Sequence, residues 1–221
     1  MARITPIRAP ALPLAEPDYT RSFKDRYSSV LRLYFNQIDG IFQNLLGDNG
    51  GQYLQNPHIA ATGNTDQYAD GDDSPTLVLF DTVETASGFT LNIDGSATAN
   101  QDGVYKIDYR LQLINTANVS HDTFVWLKTN GSLVTDSSSR FTVPASKSAG
   151  VYGFVVAYSS IEFKIAKDDV IQLYWATETA YDPVGPVNGV YLEAIAAQTL
   201  PYPRPANPSA VGSINYVSRL P

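Results

Sequence analysis

The run GVYKIDYRLQL, residues 103–113, decides the fold. Tyr105, Ile107, Tyr109, Leu111 and Leu113 share one parity, and Lys106, Asp108, Arg110 and Gln112 share the other. Side chains of a strand alternate between two faces, so this pattern predicts a β-strand with one buried side. Strand signals recur on either side of it: TLVLFD (76–81), GFTLNID (88–94), TFVWLK (123–128), GVYGFVVAY (150–158), IEFKIA (161–166), VIQLYWAT (170–177) and GVYLEAIA (189–196). TFVWLK runs into Thr129-Asn130-Gly131-Ser132, and Asn-Gly is the strongest short hairpin signal. At least eight strands with no helix between them predict a mainly β chain, with a sandwich or jelly roll over residues 76–199.

Composition narrows the classes of function. The chain has 221 residues, a net charge of -7 and no cysteine. An acidic balance disfavours nucleic acid and anionic membranes, since both need a basic footprint. Without cysteine there are no disulfides, thiolate metal sites or cysteine nucleophiles. No run approaches the roughly 18 apolar residues of a membrane span, and Pro6, Pro10 and Pro13 interrupt anything resembling a secretory signal. A soluble protein with no nucleic-acid or membrane partner is expected.

Ahead of the strands the pattern changes. Residues 1–17, MARITPIRAPALPLAEP, carry four prolines and predict an extended N-terminal arm. Its spaced aliphatics Ile4, Ile7, Leu12 and Leu14 favour docking on a partner over a solvated tail. Residues 18–47 predict one long amphipathic helix, with Asp18 as N-cap and Gly47 at the C-terminal stop. Leu31, Phe35, Ile38, Phe42 and Leu45 repeat at spacings of 4, 3, 4 and 3, a heptad seam. Tyr27, Val30, Tyr34 and Ile41 widen it. This face predicts packing against identical copies or another protein. Residues 48–75 read as a polar connector, and residues 200–221 as a proline-rich, extended C-terminal tail.

Residues able to carry chemistry are few. His58 and His121 are the only histidines, and neither has a metal-ligand spacing; no Gly-x-Ser-x-Gly elbow is present. No catalytic residue and no cofactor is expected. Asp66, Asp70, Asp72 and Asp73 form the densest acidic group, whose oxygens would suit Ca²⁺, but the EF-hand order is missing and a solvated loop is the expected reading. In the long loop ETAYDPVGPVNG (178–189), Tyr181 with Asp182 and Asn188 is a possible glycan contact: a ring for the apolar face of a sugar, with polar groups for its hydroxyls. The alternative is a Pro-stiffened loop or a subunit contact.

The run from about Leu77 to Ala196 resembles a C1q/TNF-type jelly roll. The likeness rests on Asp102-Gly103-Val104-Tyr105-Lys106-Ile107, on Val125-Trp126-Leu127 leading into Asn130-Gly131, and on Ile165 to Leu173, with Asp168 where the family usually has Gly. Gly189-Val190-Tyr191-Leu192 is similar to the closing strand. Tyr27 to Gln37, after the Pro-rich arm, resembles the start of structural proteins of tailed bacteriophages, particularly those of cyanobacterial hosts. The first resemblance implies a homotrimer about an axis lined by strands and aromatic side chains. The second implies a virion component assembled in the bacterial host cytoplasm. Together they imply a non-enzymatic capsid cement or decoration protein bound to the major capsid protein or another virion protein, with a tail fibre or adhesin module as the alternative.

Overall fold

The computed structural model describes residues 10–12, 20–46, 56–148, 150–185 and 187–220. The chain divides into two compact units, Met1–Gln55 and Asn56–Pro221. Ile4, Ile7, Leu14, Asp18 and Gly47 lie outside the described residues, as does the side chain of Leu45. In the first unit α1 runs over Arg21–Leu46. Thr20 caps it: its Oγ1 accepts a hydrogen bond from the Phe23 N–H at 3.3 Å, satisfying one of the open donors of the first turn.

The second unit is built from strands alone. In chain order these are β1 (His58–Gly63), β2 (Gln67–Tyr68), β3 (Thr76–Leu77), β4 (Thr82–Ser87), β5 (Phe89–Leu91), β6 (Ala97–Ala99) and β7 (Gly103–Asn115). They continue with β8 (His121–Thr129), β9 (Ser132–Leu133), β10 (Ser139–Val143), β11 (Gly153–Ile165), β12 (Val170–Thr177), β13 (Val190–Leu192) and β14 (Ala210–Ser218). All ladders are antiparallel. One sheet runs β11-β7-β14-β1-β4, with β13 and β2 continuing beside the end of β7; the other runs β10-β8-β12-β6-β5, with β3 and β9 attached. Counting only β1, β6, β7, β8, β10, β11, β12 and β14, the first sheet reads 1-8-3-6 and the second 2-7-4-5. That wrapping is a jelly roll.

The core lies between the sheets. Tyr105, Ile107, Tyr109, Leu111 and Leu113 of β7 all point into it, opposite Val125 and Leu127 of β8 and Leu173 and Trp175 of β12. The alternation read from residues 103–113 is realised, with one exception. Gln112, on the polar parity, is buried: its side-chain amide donates to the Pro208 carbonyl at 3.0 Å, and its backbone bonds Ser209 and Glu193. The Asn130-Gly131 hairpin forms as expected, both residues having positive φ (51° and 78°) as a type I′ turn requires. The runs 150–158 and 161–166 merge into one long strand, β11. It opens at Gly153, where a side chain would run into the Pro144 carbonyl.

Two expected boundaries move. The connector 48–75 contains β1, whose residues alternate half-buried and buried, and β2. The tail 200–221 contains β14, which lies between β7 and β1. β1 offers one large apolar residue, Ile59, and β14 spreads Val211, Ile214, Tyr216 and Val217 over both parities among Gly and Ser, so neither shows the one-sided alternation of β7.

Candidate functional site

Three segments far apart in sequence meet at one corner of the first sheet. β2 pairs with β13 so that Tyr68 stands opposite Tyr191, and the 178–189 loop lays Tyr181 against both. Ring centroids are 5.8 Å apart for Tyr68–Tyr181, 5.7 Å for Tyr68–Tyr191 and 5.0 Å for Tyr181–Tyr191. Tyr191 is buried, Tyr181 half-buried and Tyr68 exposed. The cluster is held from below by Gln67, which bonds both backbone groups of Leu79 and the Ser209 hydroxyl. Tyr68 and Tyr181 line a cleft with Asp70, Asp72, Asp182 and Pro183.

Carboxylates set the electrostatics of this corner. Burial, then the charges of Glu193 and Asp66, push the Tyr191 phenol well above its ordinary value. Burial, then Asp66, raises Tyr68. Burial also raises the Glu193 carboxyl; the hydrogen bond from Tyr191 opposes this and the Asp66 charge adds to it. Asp182 moves the other way, held below the ordinary carboxylate range by the N–H groups of Val184 and Gly185. An aromatic wall beside ionised carboxylates can stack on the C–H face of a sugar ring while accepting hydrogen bonds from its hydroxyls.

The structure brings Tyr181 and Asp182 together but separates Asn188 from them. Asn188 lines a different depression, with Thr116, His121 and Tyr152, so the expected trio does not form one contact. Of the four aspartates, Asp66 accepts from the Ala194 N–H and Asp72 from the Ala180 N–H, each at 2.8 Å. Asp73 donates its own N–H to the Thr177 carbonyl. These bonds tie the segments on either side of β2 to Ala194, Ala180 and Thr177, and no group of three or more metal-ligating side chains gathers among the described residues. His58 is tied to the Asn56 carbonyl and the Thr85 hydroxyl, and His121 stands 3.8 Å from Glu178.

Two further surfaces bear on function. On α1, Phe35 and Phe42 are 56% and 55% exposed, while Leu31, Tyr34, Ile38 and Ile41 are half-buried and Tyr27 is exposed. β11 pairs only with β7, which leaves a 13-residue edge, and its outward side chains include Phe154, Val156 and Tyr158, the last 59% exposed. Tyr68, Tyr191 and the β11 face were not singled out from sequence. β11 did offer a signal: both parities of GFVVAY are apolar, which in an antiparallel sheet marks a strand covered on two sides.

No protein-family model and no curated protein matches the sequence. Among solved structures the chain is similar to Eiger TNF from S. frugiperda, with 8% identity, a TM-score of 0.46, and coverage of 76% of this chain and 96% of that one.

Proposed function

We propose that this chain is a non-enzymatic structural protein that works as a homotrimer and is anchored to a larger particle by its N-terminal arm and helix. One observation carries the reading: the heptad seam of α1 presents Phe35 and Phe42 to solvent in a single chain. Isolated helices are marginal in water and gain most of their stability from packing an apolar face, so such a seam calls for other chains. Tyr27, Tyr34 and Ile41 recur every seven residues along one flank, giving the helix more apolar width than a seam needs and a second surface for the particle. The open, apolar edge of β11 supports association of the β units.

The likeness of Tyr27 to Gln37 to the opening of tailed-phage structural proteins supports a virion as the particle and the major capsid protein as the partner. Capsid cementing ranks first, because extended arms let compact subunits cover large surfaces with little ordered mass. Leu31→Asp with Phe35→Asp is expected to release the protein from particles, or dissociate the trimer in sedimentation, with the β unit still folded by circular dichroism. A variant that still trimerises and still joins the particle removes this role. Particles lacking the protein are expected to lose DNA at lower temperature.

A second reading, an adhesin module, is favoured by the cleft beside Tyr68 and Tyr181. Particles that lack the protein, keep their thermal stability and fail to adsorb to host cells would establish it over cementing.

A further inference from the structure

The depression that takes Asn188 lies at the end of the sandwich where three connections meet. These join β7 to β8, β10 to β11 and β12 to β13. Its volume is about 750 Å³, within the range of small-ligand pockets. Hydrogen bonds lock the three connections to one another. Asn115, fully buried, accepts from the Ala117 N–H at 2.9 Å and donates to the Val119 and Val143 carbonyls at 2.8 and 3.3 Å. The Ser146 N–H donates to the Ala117 carbonyl at 2.7 Å, and Thr116 bonds both backbone groups of Gly189. The walls are thus fixed in the free chain, and a ligand need not order them.

The polar groups left out of this bracing are the ones a ligand meets. The side chains of Asn118, Asn188, Ser148 and Tyr152 line the depression and make no hydrogen bond among the described residues. The Tyr152 ring is 46% exposed. Lys147 is exposed and has no ion pair among the described residues, whereas His121 already faces Glu178 at 3.8 Å. No carboxylate lines the depression among the described residues, although the chain as a whole carries a net charge of -7. The Tyr68–Tyr181 cleft is its electrostatic opposite, lined by Asp70, Asp72 and Asp182.

We propose that this depression binds a carboxylate-bearing sugar, a hexuronate residue of an acidic saccharide. The ring lies on Tyr152, the carboxylate pairs with Lys147, and the hydroxyls bond the amides of Asn118 and Asn188. Side-chain amides both donate and accept, which matches a sugar hydroxyl. One unmatched ammonium balances one carboxylate; a phosphate monoester brings nearly two charges and would leave one unpaired. A wholly apolar ligand would strip water from the amides and the ammonium and return no partner. The carboxylates of the Tyr68–Tyr181 cleft repel the same sugar, so the two sites divide acidic from neutral saccharides. The adhesin reading needs only that cleft, and this site rests on neither reading of the particle.

The test is a calorimetric titration of the purified full chain with oligosaccharides of galacturonate, mannuronate and glucuronate. Each is run beside its methyl ester, which keeps the ring and hydroxyls and removes the charge. At least one acid should bind, and its ester should bind roughly fivefold more weakly. Lys147→Gln should bring the acid down to the level of the ester and leave the ester unchanged, while Lys147→Arg should retain the difference. Tyr152→Ala should weaken acid and ester alike. Ser148→Glu, which sets a carboxylate beside Lys147, should weaken the acid alone. Lys167→Gln removes the same charge from the turn at the other end of β11, and should alter neither. Failure of all three acids to bind, or equal affinity for acid and ester, overturns the proposal. So does acid binding that survives Lys147→Gln, or that falls equally with Lys167→Gln. Heat stability and adsorption are measured on particles, so a negative titration leaves both readings of the particle standing.

Discussion

Single residues show how far a parity rule reaches. Gln112 sits on the polar side of β7 yet is buried, because the chain crossing at Pro208 and Ser209 pairs with its amide and backbone. Alternation reports which face a side chain takes, and only tertiary structure decides what covers that face. Asp168 departs from the glycine of the resembled family but keeps its geometry, with φ 69°; Asp is one of the few side chains that tolerate the left-handed region. Glu193 was invisible in the sequence because Asp66, ahead of β2, comes beside it and Tyr191 of β13 only in the fold. Its carboxyl is raised above the ordinary 4.5, burial first. The folded chain therefore holds this proton more tightly than the unfolded one. Whatever stability the group contributes is complete below pH 4.5 and is lost as pH rises from there through the folded value. Glu193→Gln mimics the protonated form and still accepts from Tyr191, so it should raise the melting temperature at pH 7.5 by roughly 1–2 °C. The difference should vanish by pH 4. A gap of the same size at both pH values would mean that Glu193 titration is not its source.

At the scale of elements, legibility followed the size of the apolar residues. β7, β8 and β12 are rich in aromatic and branched side chains and alternate in burial over most of their length, and each was readable from its own residues. β4 was not, since TVETAS is exposed along nearly its whole length and owes its place to the ladder with β1. β14 is the instructive miss. AVGSINYVS follows a proline-rich stretch and buries only Ala210 and Ile214 fully, yet it pairs with β7 on one side and β1 on the other. A side chain at Gly212 would press on the ring of Phe80. What holds β14 is two backbone ladders, which no side-chain pattern announces. Ending the chain after Ser209 should therefore do far more than trim a tail. It strips the inner edge of β7, leaves β1 joined only to β4, and uncovers Ile107 and Tyr109. The truncated protein should lose its cooperative urea transition by tryptophan fluorescence. A truncated chain that unfolds as sharply as the full one would restore the reading of residues 200–221 as an appendage.

For the whole molecule, the sandwich class was legible because strand alternation is local, whereas the order 1-8-3-6 and 2-7-4-5 was not, because it depends on pairings such as His58 with Asn215. The candidate cleft was half legible for the same reason: Tyr181 and Asp182 announced themselves within one loop, but Tyr68 and Tyr191 join them only through the β2–β13 ladder. The proposed assembly would use two separable surfaces, the seam of α1 and the edge of β11, which lie in different units of the chain. Linking two weak contacts in one chain makes the second effectively intramolecular, and overall affinity can exceed either alone by roughly a hundredfold or more. Residues 56–221 contain every strand and the whole buried core among the described residues, so this piece should fold with an undiminished thermal transition. If the full chain is the trimer proposed, this piece should still self-associate in analytical ultracentrifugation, but only at protein concentrations about a hundred times higher. Tyr158→Glu should abolish that residual association without unfolding the unit, because Tyr158 points outward and its hydroxyl bonds only Asp108. If residues 56–221 stay monomeric at the highest attainable concentration while the full chain is a trimer, association belongs to α1 alone and the β11 edge faces something other than a copy of itself.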